Sequence, residues 1–310
     1  MENNILVIAF VLGCLLHFGV QRSFIFFGKF DDINYRSTHK TLATRSGGIG
    51  IFLTVLFIAL YYYFHGIEIF DYSLFIPLGV IIVTGIYDDL YNADFKLKFI
   101  LQIIVAKILI DQGYVISNYH GLFGLHEVSW LLAQASTIFV FLVIVNAINF
   151  IDGIDGLAIT EVIKIIFLIE YFCFEFTPIA PLGIIIVTSI FPLYYFNFKR
   201  SNKIFLGDGG SLFLGSVIAI YVIYVLGNSY DFKSTLNINK ALFAILILIY
   251  PLSDLLRVFT IRILARKSPF EPDQNHIHHF LLKKNLSPFK ILLTINIIST
   301  SILFLSLLFK

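Results

Sequence analysis

The sequence predicts an all-α polytopic membrane protein with about ten transmembrane helices and both termini outside the cell. Its composition, its apolar runs and the distribution of positive charge between the loops lead to this prediction. Hydrophobic residues make up 58% of the 310 residues and charged residues only 14%, and the mean hydropathy is +0.88. An average soluble domain has about 25% charged residues. Lipid must therefore surround most of this chain.

Apolar runs of the length that a bilayer requires recur along the chain, and a spanning helix needs about 20 residues. The first run has no basic residue before it and no cleavage site after it, so we expect a retained helix rather than a signal peptide. We expect one integral membrane domain over residues 1–310. The ten runs cover residues 5–27, 48–64, 74–87, 97–111, 131–149, 157–175, 179–196, 211–227, 240–261 and 290–309.

Lys and Arg are divided unevenly between the loops. The loops after odd-numbered runs, with their immediate flanks, hold 15 of the 22 Lys and Arg residues. The loops after even-numbered runs, with their flanks and the C-terminus, hold 3. Because basic loops stay on the cytoplasmic side, we expect the odd-numbered loops to lie in the cytoplasm. The net charge of only +2 argues against a nucleic-acid partner.

Four polar clusters fall in these cytoplasmic loops, although long stretches of sequence separate them. Asp88 and Asp89 follow the third run, and Asp208 lies in a glycine-rich segment before the eighth. The other clusters are the Asn- and Asp-containing residues 146–156 and the histidines of residues 276–279. Such a concentration of carboxylates and imidazoles on one side of the membrane predicts a single active site formed by the cytoplasmic loops.

Five Asp residues lie at or near the ends of apolar runs, namely Asp88, Asp89, Asp152, Asp155 and Asp208. Adjacent carboxylates repel each other, and a divalent cation would relieve that repulsion. Oxygen ligands without Cys favour Mg²⁺, or Mn²⁺ in its place. A solvated helix end is the alternative for Asp88 and Asp89, and helix capping for Asp152 or Asp155. The last two are three residues apart, which would place them on one face of a helix.

Two cytoplasmic segments combine glycines with basic residues just before a run. Backbone amides at a helix N-terminus bind phosphate, so both segments suit a phosphate-rich ligand. We expect Ser211 to cap the eighth helix. Ordinary loop residues of a membrane protein are the alternative for the first segment. The residues concerned are Arg36, His39, Lys40 and Arg45 in the first loop, and Lys199, Arg200 and Lys203 before the eighth run.

Three histidines, His276, His278 and His279, lie in the last cytoplasmic loop. A zinc site is one interpretation. Adjacent histidines seldom bind one ion together, so we favour general acid/base catalysis or phosphate contact. Together with the carboxylates and the glycine-rich segments, the histidines indicate phosphoryl transfer. Because the site lies at the membrane surface, we expect one substrate to be a lipid.

Four motifs, between Arg36 and Leu282, resemble those of a known family. Residues 85–89 read Gly-Ile-Tyr-Asp-Asp, and residues 146–157 read Asn-Ala-Ile-Asn-Phe-Ile-Asp-Gly-Ile-Asp-Gly-Leu, a highly specific string. Residues 205–215 and 268–279 supply the other two motifs. On these motifs the chain resembles the polyprenyl-phosphate N-acetylhexosamine-1-phosphate transferases.

The resemblance implies a cytoplasmic active site in the inner membrane of a bacterium, with Mg²⁺ as cofactor. It implies transfer of a sugar-1-phosphate, such as GlcNAc-1-phosphate, from a UDP-sugar to undecaprenyl phosphate, with release of UMP, for cell-envelope polysaccharides. The partners implied are the UDP-sugar, the polyprenyl phosphate and membrane lipid, and a homodimer is an open alternative to a monomer.

The resemblance also implies roles for individual residues. Asp208 would ligate the metal, and Asp88 and Asp89 would serve the metal and the lipid phosphate. Catalysis would involve these two aspartates with His276, His278 and His279, which would contact the diphosphate or the sugar. Substrate binding would involve Arg36, His39, Lys40, Arg45, Asn149, Asp152, Asp155, Asn197 and Phe205, with Phe205 stacking on uracil.

The sequence departs from the family pattern in the first loop, where Ile33, Leu42 and Thr44 stand at places that often hold prolines. This departure bears on loop shape and sugar choice. The His-Ile-His-His form resembles the branch that uses UDP-GlcNAc, and transfer from UDP-MurNAc-pentapeptide is the alternative. A membrane transporter is the alternative from another class, but it would place its charges inside the runs.

Overall fold

The protein is predominantly helical in the computed structural model, which describes residues 2–31, 42–233, 238–269 and 274–308. Each of the ten apolar runs coincides with one helix or, for the ninth, with a pair of helices. In chain order the elements are α1 (Glu2–Phe26), β1 (Ala43–Thr44), α2 (Gly47–Phe64), α3 (Phe75–Tyr91), α4 (Phe95–Asp111), α5 (Trp130–Ile151), α6 (Leu157–Phe172), α7 (Ala180–Phe198), β2 (Lys203–Ile204), α8 (Gly207–Leu226), α9 (Lys240–Ile247), α10 (Ile249–Leu264), α11 (Ile277–Lys283) and α12 (Pro288–Leu308).

Seven helices in the described part of the chain are long and apolar enough to cross a membrane, and the bent pair α9 and α10 would make eight. The protein is therefore an all-α polytopic membrane protein. Helices α4 and α6 have only 17 and 16 residues, whereas a span needs about 20. The count of ten spans and the outside location of both termini stay predictions.

The ninth apolar run is not the single helix that the sequence predicts. Helices α9 and α10 meet at Leu248 with a bend of 73°. Pro251 explains the break, because its ring has no N–H and would clash with the carbonyl group of Ile247 in a continuous helix. The chain therefore ends one helix before this proline and begins another, in which Pro251 lies in the first turn.

The chain divides into two compact units. The first comprises Met1–Leu101 and Pro178–Leu214, and the second comprises Gln102–Thr177 and Gly215–Lys310. The single membrane domain over residues 1–310 stays a prediction.

In the first unit, a short parallel sheet aligns the segments that lead into α2 and α8. Ala43 pairs with Lys203 and Thr44 with Ile204. The pairing continues past the strands, where the amide of Gly47 donates to the carbonyl group of Phe205 over 2.9 Å. Two helices that are distant in sequence therefore begin side by side, and the residues just before them become neighbours.

In the second unit, aromatic rings fill the core near the end of α6 and the start of α9. The ring centroid of Phe243 lies 5.7 Å from that of Phe172 and 5.1 Å from that of Phe232, both edge to face. Tyr230 is fully buried, and its hydroxyl donates to the carbonyl group of Ile169 over 2.9 Å. Buried edge-to-face rings stabilise such a core beyond their apolar area.

Close approach of α3 to the start of α8 requires a glycine at position 85. A Cβ atom added to Gly85 would lie 2.5 Å from both the carbonyl oxygen of Asp208 and the Cα atom of Gly209. These are backbone atoms, which cannot rotate away as the end of a side chain can. The glycine therefore sets how near the carboxyl end of α3 comes to the amino end of α8.

We predict that Gly85→Ala forces α3 and α8 apart and lowers both thermal stability and activity. Gly79→Ala, in the same helix, is the matched control, because a Cβ atom there would meet nothing within 4 Å. In the control we expect unchanged or slightly higher stability, since Ala is favoured over Gly in a helix by about 0.5–1 kcal/mol. Thermal unfolding in detergent checks both variants. Equal melting temperatures for the two would contradict the close approach.

Candidate active site

Asp88 and Asp208 face each other across the ends of two helices, and Lys98 bridges them. Asp88 lies in the last turn of α3, Asp208 in the first turn of α8 and Lys98 in the first turn of α4. The ammonium nitrogen Nζ of Lys98 lies 2.6 Å from Oδ2 of Asp88 and 3.4 Å from Oδ2 of Asp208. Two carboxylates therefore share one cation.

The neighbouring carboxylate, Asp89, has a different environment. Its Oδ1 accepts the backbone N–H of Asp208 over 3.0 Å, and its Oδ2 accepts that of Gly209 over 2.9 Å. Its side chain is only 4% exposed. Asp89 thus caps the first turn of α8, where amides without helical partners and the helix dipole favour a negative charge.

The geometry of α3 explains why adjacent aspartates differ. Successive residues in an α-helix are separated by about 100° around the axis. Asp89 consequently points at the backbone of α8, whereas Asp88 points at Lys98. The sequence prediction treats the two residues alike, as metal ligands and catalytic groups. Both oxygens of Asp89 accept backbone N–H groups, whereas Asp88 shares the ammonium of Lys98 with Asp208. The metal and catalytic roles of both residues stay predictions.

Arg45 reaches the same region from the segment between β1 and α2. Its Nη2 lies 2.5 Å from Oδ1 of Asp31, and its Nη1 lies 3.4 Å from Oδ1 of Asp89. Burial acts to lower the pKa of this guanidinium, but the nearby carboxylates, Asp31 foremost, outweigh burial and raise the pKa above its ordinary value. Arg45 therefore links the segment that follows α1 to the cap of α8.

A cavity of about 150 Å³ lies beside this ion-pair chain in the first unit. Its lining combines the cations Lys29 and Arg45, the carboxylates of Asp31 and Asp89, and the rings of Phe24 and Phe30.

The donor set of the first unit fits a hard divalent cation. No three His, Cys, Asp or Glu residues in the described ranges could hold a metal ion by themselves. Mg²⁺ commonly binds through one or two carboxylates and completes its shell with water and substrate phosphates. Asp88 and Asp208 supply two such carboxylates, and their position around the ammonium of Lys98 shows that they face one positive charge.

In the second unit, the Asn- and Asp-containing motif lies against the histidine motif. His278 is fully buried, and its Nε2 would lie 2.2 Å from a Cβ atom at Gly153. Only a glycine permits this contact. The turn that carries Asp152 and Asp155 is thereby held next to the start of α11.

Burial and neighbouring rings determine the electrostatics of the imidazole of His278. Burial, followed by the neighbouring imidazoles of His279 and His276, lowers the pKa of His278 well below its ordinary value. Within the described residues, neither of its ring nitrogens has a hydrogen-bond partner. The ring of His276 stacks on it at 5.3 Å, and that of His279 lies 4.4 Å away.

Two expectations about local structure are wrong. Asp152 and Asp155 do not share a helix face, because α5 ends at Ile151 and residues 152–156 form turns before α6. Two glycines in five residues favour turns over a continuous helix. Ser211 does not cap α8, because the helix begins at Gly207 and the carboxylate of Asp89 supplies its cap.

The remaining predicted site residues are placed as follows. Asn149 lies in the last turn of α5 and Phe205 between β2 and α8, both partly buried. Asn197 is buried in α7, and its amide donates to the carbonyl group of Ile204 over 2.9 Å, which supports β2. Arg36, His39 and Lys40 lie outside the described residues. The substrate contacts of all these residues stay predictions.

Three residues that the sequence motifs do not indicate belong to these clusters in the structure, namely Lys98 and Asp31 in the first unit and Asp254 in the second. Asp254 accepts a hydrogen bond from His276 with Oδ2···Nδ1 at 2.6 Å. An ionisable residue inside the ninth apolar run was the signal for Asp254.

Long apolar helices with paired carboxylates at their ends make this a polytopic membrane protein with a candidate active site. The chain belongs to Glycosyl transferase family 4, which its residues 72–226 match. The family resemblance predicted from the motifs is thereby confirmed.

Named relatives agree with the family. The chain is 31% identical to the probable undecaprenyl-phosphate N-acetylglucosaminyl 1-phosphate transferase of Bacillus subtilis (strain 168), over 86% of this chain and 74% of the relative. It is 31% identical to the decaprenyl-phosphate N-acetylglucosaminephosphotransferase of Mycobacterium leprae (strain TN), over 84% and 71%. It is 28% identical to the undecaprenyl-phosphate alpha-N-acetylglucosaminyl 1-phosphate transferase of Salmonella typhi, over 90% and 76%.

We predict that two carboxylates at the start of α8 contribute differently to stability. Asp89 caps the helix from α3, whereas Asp208 belongs to the helix itself. Asp89→Asn leaves one buried amide facing an N–H donor, which should cost about 1–3 kcal/mol. Asp208→Asn removes a charge that faces Asp88, so we expect unchanged or higher stability. Thermal unfolding in detergent without divalent ions measures both. A larger loss for Asp208→Asn than for Asp89→Asn would show that Asp89 does not cap the helix.

Proposed function

We propose that this protein transfers N-acetylglucosamine-1-phosphate from UDP-N-acetylglucosamine to a polyprenyl phosphate such as undecaprenyl phosphate. The products are a lipid-linked diphosphate sugar and UMP. The observation that carries the proposal is the pair of carboxylates, Asp88 and Asp208, around one cation at the ends of membrane helices. The names of the relatives support the sugar and the type of lipid.

The residues of the first unit suit a reaction that brings two negatively charged phosphate groups together. Asp88 and Asp208 would hold Mg²⁺, which supplies, when bound, the positive charge that neutralises the donor diphosphate. Lys98 keeps these two carboxylates facing one point. Asp89 fixes the first turn of α8, and so the position of Asp208, through two backbone hydrogen bonds.

We further propose direct attack by the lipid phosphate. A phosphate monoester has a second pKa near 6 and is mostly a dianion at neutral pH, so it needs little deprotonation. One of its oxygens forms a bond to the sugar-linked phosphorus, and the bond from that phosphorus to the UMP oxygen breaks. The alternative is a two-step route in which Asp88 first carries the sugar phosphate. Lys98 lies 2.6 Å from a carboxylate oxygen of Asp88 and reduces its nucleophilicity, which favours direct attack.

The proposed location is the inner membrane of a bacterium, with the active site in the cytoplasm. The excess of Lys and Arg in the odd-numbered loops supports this orientation, and the named relatives are bacterial. None of the three relatives described above is named for transfer from UDP-MurNAc-pentapeptide, so that alternative is not favoured. Family membership gives no support to a transporter.

The direct route predicts no isotope exchange without acceptor. We expect labelled UMP to stay out of UDP-GlcNAc when the purified protein is stripped of endogenous lipid phosphate, because no covalent enzyme intermediate forms. Incubation with Mg²⁺, followed by separation of the nucleotides, measures the exchange. A wild-type exchange rate comparable to turnover, lost in Asp88→Asn, would instead establish the two-step route.

The proposed reaction predicts metal-dependent transfer of labelled sugar into the lipid extract. We expect purified protein to convert UDP-GlcNAc and undecaprenyl phosphate to product and UMP, to stop in EDTA, and to recover with Mg²⁺ or Mn²⁺. Asp208→Asn should lose at least about 100-fold in kcat, since a bound metal supplies several kcal/mol. A panel of UDP-sugars tests the sugar.

Asp94→Asn is the matched control for Asp208→Asn. Asp94 is an exposed carboxylate that accepts the backbone N–H of Lys96 over 3.1 Å at the start of α4, and Asn can cap a helix equally well. We expect nearly full activity in this variant. Undiminished activity in EDTA, or an equal loss in both variants, would contradict the role given to Asp208.

A further inference from the structure

A buried carboxylate on α10 holds the first histidine of the histidine motif. Asp254 is fully buried, and its Oδ2 lies 2.6 Å from Nδ1 of His276. Its Oδ1 accepts the backbone N–H of Ile277 over 2.7 Å. Both oxygens are therefore engaged, one by the imidazole and one by the start of α11.

Neighbouring rings fix the plane of the imidazole that Asp254 holds. The ring of His276 stacks on that of His278 at 5.3 Å with an angle of 13° between their planes. Phe150 contacts it edge to face at 5.8 Å, and the guanidinium of Arg262 lies 5.6 Å from the ring centroid of Phe150. A carboxylate on one nitrogen and rings on its faces leave the imidazole one orientation.

This arrangement determines which nitrogen of His276 is available. A carboxylate can only accept, so Nδ1 must carry a proton and the neutral ring has its lone pair on Nε2. Within the described ranges, Nε2 has no hydrogen-bond partner. The free nitrogen is then the only polar atom of the ring that can meet a ligand.

We propose that Asp254 is the positioning residue of His276 and holds its Nε2 available to a substrate of the reaction. This inference rests on the proposed function. Capping α11 needs only one acceptor, which Ser, Thr or Asn would also provide. A fully buried carboxylate is costly, and its second oxygen serves the imidazole alone. The hydrogen bond to His276 therefore explains why a buried carboxylate stands at this position, because capping of α11 alone would not require one.

Asp254→Asn tests the proposal with little change in shape. The carboxamide has one accepting oxygen, so it can keep the hydrogen bond to Ile277 while its NH₂ group faces Nδ1 of His276 and favours the wrong tautomer. We expect kcat for lipid-linked sugar formation to fall at least about 10-fold, as for other carboxylates that orient an imidazole. The KM for UDP-GlcNAc should change much less. Ser253→Ala, at an exposed neighbouring position on α10, is the control and should keep full activity.

A double-mutant cycle with His276→Gln separates positioning from mere structural support. If Asp254 acts through His276, Asp254→Asn causes no further loss of kcat once His276 has been replaced. If Asp254 only supports the fold, Asp254→Asn lowers kcat by the same factor in the wild-type protein and in His276→Gln, and the proposal is wrong. Full activity of Asp254→Asn would also overturn it.

A measurement on the wild-type protein covers the case in which Asp254→Asn does not fold. Selective ¹⁵N labelling of histidines, with the signal of His276 identified by its loss in His276→Gln, reports the tautomer directly. We expect the Nδ1–H form. The Nε2–H form would exclude control by Asp254.

Failure of the proposed function is distinguishable from failure of this inference. If the wild-type protein makes no lipid-linked sugar from UDP-GlcNAc and undecaprenyl phosphate, the function is wrong and the positioning role falls with it. If the wild type is active and the double-mutant cycle is additive, the function stands and only the role of Asp254 is wrong.

Discussion

The two hydrogen bonds from the start of α8 to the carboxylate of Asp89 are the contact on which the first unit depends. A membrane helix that begins in a buried site exposes amides that neither water nor lipid can satisfy. Asp89 satisfies two of them and places a negative charge at the positive end of the helix dipole. Gly85 allows α3 to approach closely enough for this contact, and Arg45 compensates the charge from the other side. The position of Asp208 follows from these constraints.

The carboxylates around this contact have different partners. Asp89 and Asp31 contact Arg45, and Asp89 also accepts two backbone N–H groups. Asp88 and Asp208 come from two helices and both contact the ammonium of Lys98. Carboxylates that converge in this way suit a shared divalent cation. The side chain of Asp208 is more exposed than that of Asp88, at 32% against 11%.

Much of this architecture could be predicted from the sequence, because an apolar run of about 20 residues directly indicates a helix that lies in lipid. The helices and the importance of Asp88 and Asp208 follow from that pattern and from the motifs. The different roles of Asp88 and Asp89 could not be predicted, since they depend on the direction in which α3 meets α8. The break at Leu248 could have been inferred from Pro251, but hydropathy alone does not register it. The role of Asp254 could not be predicted from hydropathy, because one charged residue scarcely lowers the mean hydropathy of an apolar run.

Charges buried within the helices of the second unit can be compared with those of the first. Lys164 on α6 lies 2.5 Å from Oε2 of Glu161, three residues away, and 2.8 Å from the hydroxyl of Ser299 on α12. One cation meets one anion here, and the pair ties two helices together. A transport pathway would require ionisable groups that exchange partners with a passing ion. Glu161 and Lys164 are neighbours on one helix, whereas Asp88 and Asp208 converge from two helices on the ammonium of Lys98. A contact within one helix can be purely structural, but carboxylates brought together from the ends of separate helices suit the binding of a cation.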